Sequence, residues 1–87
     1  MAPDQKISIT VVVSGHPTTL SLNRHQTVAH LVQEALQKSG NVGQPPDQWE
    51  LRTSDGSLIN QALTIADANI TDGMTLFLSP KAGAGGH

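Results

Sequence analysis

The chain has 87 residues, with 5 basic and 7 acidic side chains for a formal net charge of -2, two aromatic rings (Trp49 and Phe77) and no cysteine. That length is one domain with a small core, and the missing cysteines exclude disulfides, zinc-thiolate sites and thiol catalysis. The near-neutral balance has no basic run and argues against nucleic acid as a partner. No stretch has the apolar length of a signal peptide or a membrane span, which predicts a cytoplasmic protein with no membrane partner.

Lys6 to Val13 places Ile7, Ile9, Val11 and Val13 at a period of two, with β-branched residues throughout, and reads as a strand. Ser14-Gly15-His16-Pro17 is a turn cluster. Thr18 to Leu22 alternates again, with Leu20 and Leu22 on one face, so the two runs form a hairpin. From Thr27 the period changes. Val28, Leu31, Val32, Ala35 and Leu36 make one apolar stripe of a helix spanning about Thr27 to Ser39. Thr27 suits the N-cap, Gly40 is a left-handed stop, and Glu34 and Lys38 are spaced for an i,i+4 ion pair.

Asn41 to Asp47 is a loop containing Pro45-Pro46. Trp49, Leu51 and Thr53 alternate with Glu50 and Arg52 in a third strand, and Trp49 falls on the helix side, as core or core rim. Ser54-Asp55-Gly56 is a turn, and Leu58-Ile59 reads as a minor edge strand. Residues 62–72 are turn-rich, anchored by Leu63, Ile65 and Ile70. Asp72-Gly73 turns into a last strand, Met74 to Ser79. One amphipathic helix must cover one face of the sheet, which is an α+β arrangement. The predicted core is Ile9, Val11, Leu20, Leu22, Val28, Leu31, Val32, Leu36, Leu51, Leu63, Leu76 and Leu78.

Nothing in the chain composes an enzyme site. His16, His25, His30 and His87 form no same-face pair and have no thiolate to complete a metal set. The Asp-Gly pairs lack the oxygen ligands of a calcium loop. No hydroxyl has a base spaced to activate it. The chain is therefore expected to be neither an enzyme nor a metal or cofactor protein. The remaining feature is Ala82-Gly83-Ala84-Gly85-Gly86-His87, which follows the last strand. Backbone without Cβ atoms fits a narrow enzyme channel; equally, such a segment can be a loose end.

The element order and several collinear segments resemble ubiquitin. Pro45-Pro46-Asp47-Gln48 is identical to the loop after the ubiquitin helix. Thr27-Val28 resembles its helix start, and Leu63-Thr64-Ile65-Ala66-Asp67-Ala68-Asn69-Ile70 is similar to its stretch Thr-Leu-Ser-Asp-Tyr-Asn-Ile. Thr75-Leu76-Phe77-Leu78 resembles its last strand, Thr-Leu-His-Leu, and Gly85-Gly86 its diglycine. The resemblance covers residues 6 to 86 and implies a ubiquitin-like β-grasp of four to five mixed strands over residues 1–80, with a flexible tail over 81–87. The departures are Arg52 where ubiquitin exposes an isoleucine, Ser79 for a valine, a tail without arginine, and only Lys6, Lys38 and Lys81 as lysines. The pattern is similar to bacterial ubiquitin-like modifiers encoded with partner enzymes.

That resemblance implies a protein modifier. A JAB-type metalloprotease would remove His87. An activating-enzyme-like partner, using ATP, would adenylate Gly86, and a conjugating-enzyme-like partner would pass the chain to target proteins. Gly85 and Gly86 form the conjugation tail. Sulfur carriage through a C-terminal thiocarboxylate, or a non-covalent ubiquitin-like interaction module, are the alternatives. Alternation sends Phe77 to the open face, and the ubiquitin-like register places Val12 and Arg52 beside it. This predicts a partner-binding surface, with self-association among its possible uses.

Overall fold

The computed structural model describes residues 6–41 and 45–81. Strand β1 (Lys6–Val13) turns into β2 (His16–Asn23), followed by helix α1 (Val28–Lys38), a 3-10 turn at Pro46–Gln48, β3 (Trp49–Thr53) and β4 (Thr75–Pro80). The sheet order is β2-β1-β4-β3, with β1 and β4 parallel at its centre and antiparallel pairs on either side. This is the ubiquitin-like β-grasp.

The hairpin turn is shorter than the sequence suggests. Only Ser14 and Gly15 turn, at φ of 50° and 88°, the paired positive values that a two-residue connection of matching twist needs. His16 and Pro17 therefore belong to β2. Pro17 is tolerated because β2 is an edge strand. With Val13 and His16 closing the hairpin, the Val12–Pro17 pair is the next along and is not hydrogen-bonded, so the missing N–H faces outward.

Helix α1 begins and ends where its residues dictate. Thr27 Oγ1 accepts from the His30 N–H at 3.2 Å. At the other end, the Asn41 N–H donates to the Leu36 carbonyl at 2.7 Å, and the Gly40 N–H to Gln37 at 3.2 Å. That double closure is the Schellman motif, and Gly40 supplies its left-handed residue at φ 89°. Val28, Leu31, Val32, Ala35 and Leu36 are all buried. Glu34 faces His30 at 3.8 Å in place of the expected pairing with Lys38.

The core unites this stripe with Ile9, Val11, Leu20, Leu22, Leu51, Leu76 and Leu78 from the sheet, and with Trp49, Ile59, Ile65 and Ile70. Leu63 is a correction: it is 37% exposed, not core. Its carbonyl accepts from the Val28 N–H at 2.8 Å, and that of Gln61 accepts from Ala29 at 3.1 Å. These bonds satisfy amides that the helix leaves free. They hold residue 63 at the rim, while Ile65 fills the core. Leu58-Ile59 is a second correction. It forms an isolated bridge between Leu58 and Arg52, not a strand, so among the described residues the sheet has four strands.

Candidate functional site

Among the described residues no helix lies on the sheet's second face, and one row of side chains crosses all four strands there. Pro17 on β2 pairs with Val12 on β1, Val12 with Phe77 on β4, and Phe77 with Arg52 on β3. Leu76 and Leu78 are buried on the helix side, so Phe77 between them is turned outward, with 42% of its surface exposed. Strand spacing of about 4.8 Å brings Val12 and Arg52 against the ring from either side. The three residues singled out from sequence do meet. Pro17, missed as a strand residue, extends their row.

Arg52 reaches this patch partly committed. Its Nη1 donates to the Gly56 carbonyl at 3.0 Å and its Nη2 to Glu50 Oε1 at 3.0 Å. The Glu50 pair is half exposed, so its direct contribution to stability is small, about 0–1 kcal/mol. Its consequence is geometric, because it holds the guanidinium near Phe77. Glu50 was not singled out, although its i,i+2 spacing from Arg52 on one strand face was visible. Around the ring lie Thr10, Thr75 and Ser79, with the Glu50–Arg52 pair on the β3 side, so the apolar spot is small and set in polar groups.

The turn after β3 is locally tied. Asp55 accepts from the Thr53 hydroxyl and from the Ser57 N–H. These bonds, the Thr53 hydroxyl first, hold the Asp55 carboxyl below its ordinary pKa. Among the described residues no three metal-ligating side chains gather, and no helix is long and apolar enough to cross a membrane.

Beyond β4 the Lys81 N–H donates to the Gln48 carbonyl at 2.9 Å. Gly85, Gly86 and His87 lie outside the described residues. Beside Lys81, Trp49 and Ile59 line a cleft of about 230 Å3. It had no sequence signal beyond the placing of Trp49 at the core rim.

Over residues 2–86 the chain matches the family described as Protein of Unknown function (DUF2604). It belongs to that family. It is also 40% identical over 81 residues to uncharacterized protein y4jI of Sinorhizobium fredii (strain NBRC 101917 / NGR234), covering 93% of this chain and 62% of that protein's length. Among solved structures it is similar to a de novo designed protein based on ubiquitin, with a TM-score of 0.78 at 22% identity, covering 98% of this chain and all of the other. It is likewise similar to the ubiquitin of Caldiarchaeum Subterraneum, with a TM-score of 0.71 at 20% identity, covering 88% of this chain and 95% of that one. At such identities the likeness is one of fold.

Proposed function

We propose that the chain is a ubiquitin-like protein modifier of bacterial type, processed after Gly86 and conjugated through it. The observation that carries this reading is the combination of a ubiquitin-like β-grasp with a Gly85-Gly86 pair a few residues beyond its last strand. The β-grasp supplies a rigid body and a recognition surface. The glycines supply backbone that enters a confined catalytic channel without side-chain clash.

The chemistry belongs to three partner enzymes, an activating enzyme, a conjugating enzyme and a JAB-type metalloprotease, and the targets supply the acceptor amine. Hydrolysis of the Gly86–His87 peptide bond frees the Gly86 carboxylate, whether or not further residues follow. That carboxylate attacks the α-phosphorus of ATP, forming an acyl adenylate and releasing pyrophosphate. A partner's nucleophile displaces AMP, and a target amine then displaces that nucleophile to form an amide, losing one proton. This chain provides the acyl group and the surface around Phe77, Val12 and Arg52, and contributes no catalytic residue. The cytoplasm is where ATP and such partners meet.

The test is mass spectrometry of proteins recovered with an affinity-tagged chain from its source cells. Trypsin cuts after Lys81, so a conjugated target retains Ala82-Gly83-Ala84-Gly85-Gly86 on a lysine. That branched remnant is the expected result, and a Gly86→Trp chain should yield none. A thiocarboxylate at Gly86 would replace the reading with sulfur carriage. Partners recovered without any covalent adduct would leave a non-covalent module.

A further inference from the structure

The two outer edges of the sheet end differently. Along β3 the Thr53 N–H donates to the Ser57 carbonyl, and the Leu51 carbonyl accepts from the Ile59 N–H. At Trp49 the Gln61 side-chain amide takes over, donating to the carbonyl at 2.8 Å. That edge is closed. Strand β2 forms the other edge, and its register leaves a defined set of groups open. Val13 and His16 close the hairpin, so Thr18, Leu20 and Leu22 bond to β1, while Pro17, Thr19, Ser21 and Asn23 turn their backbone outward. The β1 residues across from them show the same parity. The Thr10 N–H, opposite Thr19, donates away from β2 to the Met74 carbonyl at 3.0 Å, and the Ser8 N–H, opposite Ser21, donates to Asp72 at 2.7 Å.

The ends of β2 are provided for. Pro17 has no N–H. The Asn23 N–H donates to Gln26 Oε1 at 3.0 Å, and the Asn23 carbonyl accepts from the Gln26 N–H at 3.0 Å. Between these ends, the outward N–H and C=O of Thr19 and of Ser21 have no partner among the described residues. Both residues are exposed, and nothing from Thr18 to Leu22 is charged. The pairing with β1 runs without a bulge. Charge, proline or a bulge are the usual means of blunting an edge strand, and here only Pro17 does so, at one end.

We propose that this edge joins two copies of the chain, β2 lying antiparallel to β2 about a twofold axis at Leu20. That register sets Thr19 of each copy against Ser21 of the other, so each open N–H meets an open carbonyl. It also sets Pro17, which has no N–H, against Asn23, whose N–H and carbonyl are already used. Only the Pro17 carbonyl is left to water. The open groups are thus symmetric about Leu20, which is what a surface that binds itself requires. On the open face the Thr19 and Ser21 hydroxyls become cross-strand neighbours. A flexible peptide can make the same backbone bonds, but it loses conformational freedom in doing so, whereas β2 is already held extended by β1. The dimer joins the two four-stranded sheets into one. Both Phe77 rows then lie on the same side of it, so the partner surface is doubled without being covered. Dimerisation needs neither ATP nor Gly86, so its failure and that of the modifier reading are distinguishable.

The experiment is sedimentation velocity of the full chain up to about 1 mM, with NMR amide exchange on dilute and concentrated samples. The expected result is a monomer–dimer equilibrium in which exchange at Thr19 and Ser21 slows at least about threefold in the concentrated sample. Ser21→Pro removes an outward N–H and leaves the bonds to β1 untouched, as Pro17 already does, and should weaken dimerisation about tenfold or more. Thr19→Lys combined with Ser21→Lys, both at exposed positions, sets like charges opposite each other and should do the same with the fold retained by circular dichroism. Phe77→Ala should leave the dimer intact. A chain that is monomeric at about 1 mM, exchange at Thr19 and Ser21 that does not change with concentration, a dimer that survives both β2 variants, or one lost in Phe77→Ala would overturn the proposal. So would a chain that stays monomeric and gains protection at these amides only from an added capped peptide, Val-Thr-Val-Thr-Val, which assigns the edge to a foreign strand.

Discussion

The two faces of the sheet are built from the same strands and obey opposite rules. On the helix side Val11, Leu76 and Leu51 are sealed, and any change there alters packing on several elements at once. On the open side the next residues along, Val12, Phe77 and Arg52, are at least partly exposed, and Arg52 is tied to Glu50 and Gly56. A step of one residue along a strand moves a side chain from a position that defines the fold to one that defines a surface. The surface of the open face can therefore be rewritten without rewriting the domain.

The largest effect should come from breaking the sealed side. Leu36→Ala, at a side chain only 1% exposed, should cost about 2–5 kcal/mol in chemical denaturation. An effect much smaller than this would mean that the helix face tolerates loss as well as the open face does. Next is the helix start, where Thr27→Ala removes the acceptor of the His30 N–H and should cost about 0.5–2 kcal/mol. On the open side Phe77→Ala leaves the core intact and should cost about 0.5–2 kcal/mol, the loss of its cross-strand pairs with Val12 and Arg52. Under the modifier reading it should weaken partner binding about tenfold, equivalent to about 1.4 kcal/mol. A collapsed melting temperature in that variant would erase the contrast between faces.

The smallest effect is a pH dependence. Asp55 has a lowered folded-state pKa, so its stabilisation is present above the unfolded value of about 3.9 and is lost as pH falls through the lower folded value. Asp55 is wholly exposed, so the slope on the acid side should be slight. Asp55→Asn should flatten it, as read by melting temperature against pH.

How much of this was legible varies with the kind of bond involved. β1 coincides with its alternating run from Lys6 to Val13, and the helix ends at the cap and glycine that the sequence displays. Those boundaries rest on side-chain period and local backbone chemistry, which the order of the residues records directly. The outward placing of Phe77 followed from alternation, and its neighbours from the resemblance to ubiquitin. Leu63 was misplaced because its position is set by its own carbonyl meeting the Val28 N–H, a tertiary bond that any residue could make. Leu58-Ile59 looked like a strand because it is apolar, yet only one bridge forms. The cleft was invisible for a related reason: it depends on where backbone pairing along β3 gives way to the Gln61 amide.

The central pairing of β1 with β4 has a consequence for how the molecule is made. Strand β1 finds its inner neighbour β4 only after Thr75–Pro80 has been added, because Thr10 to Val13 lie beside Thr75 to Leu78. Until then the growing chain holds a hairpin and a helix whose sheet is split down the middle, with the Val11 side of the core open to water. Contacts of such long sequence separation form late and slowly. A prematurely released chain is therefore not a smaller working version but an incomplete sheet with an uncovered strand edge, which chaperones and proteases can recognise.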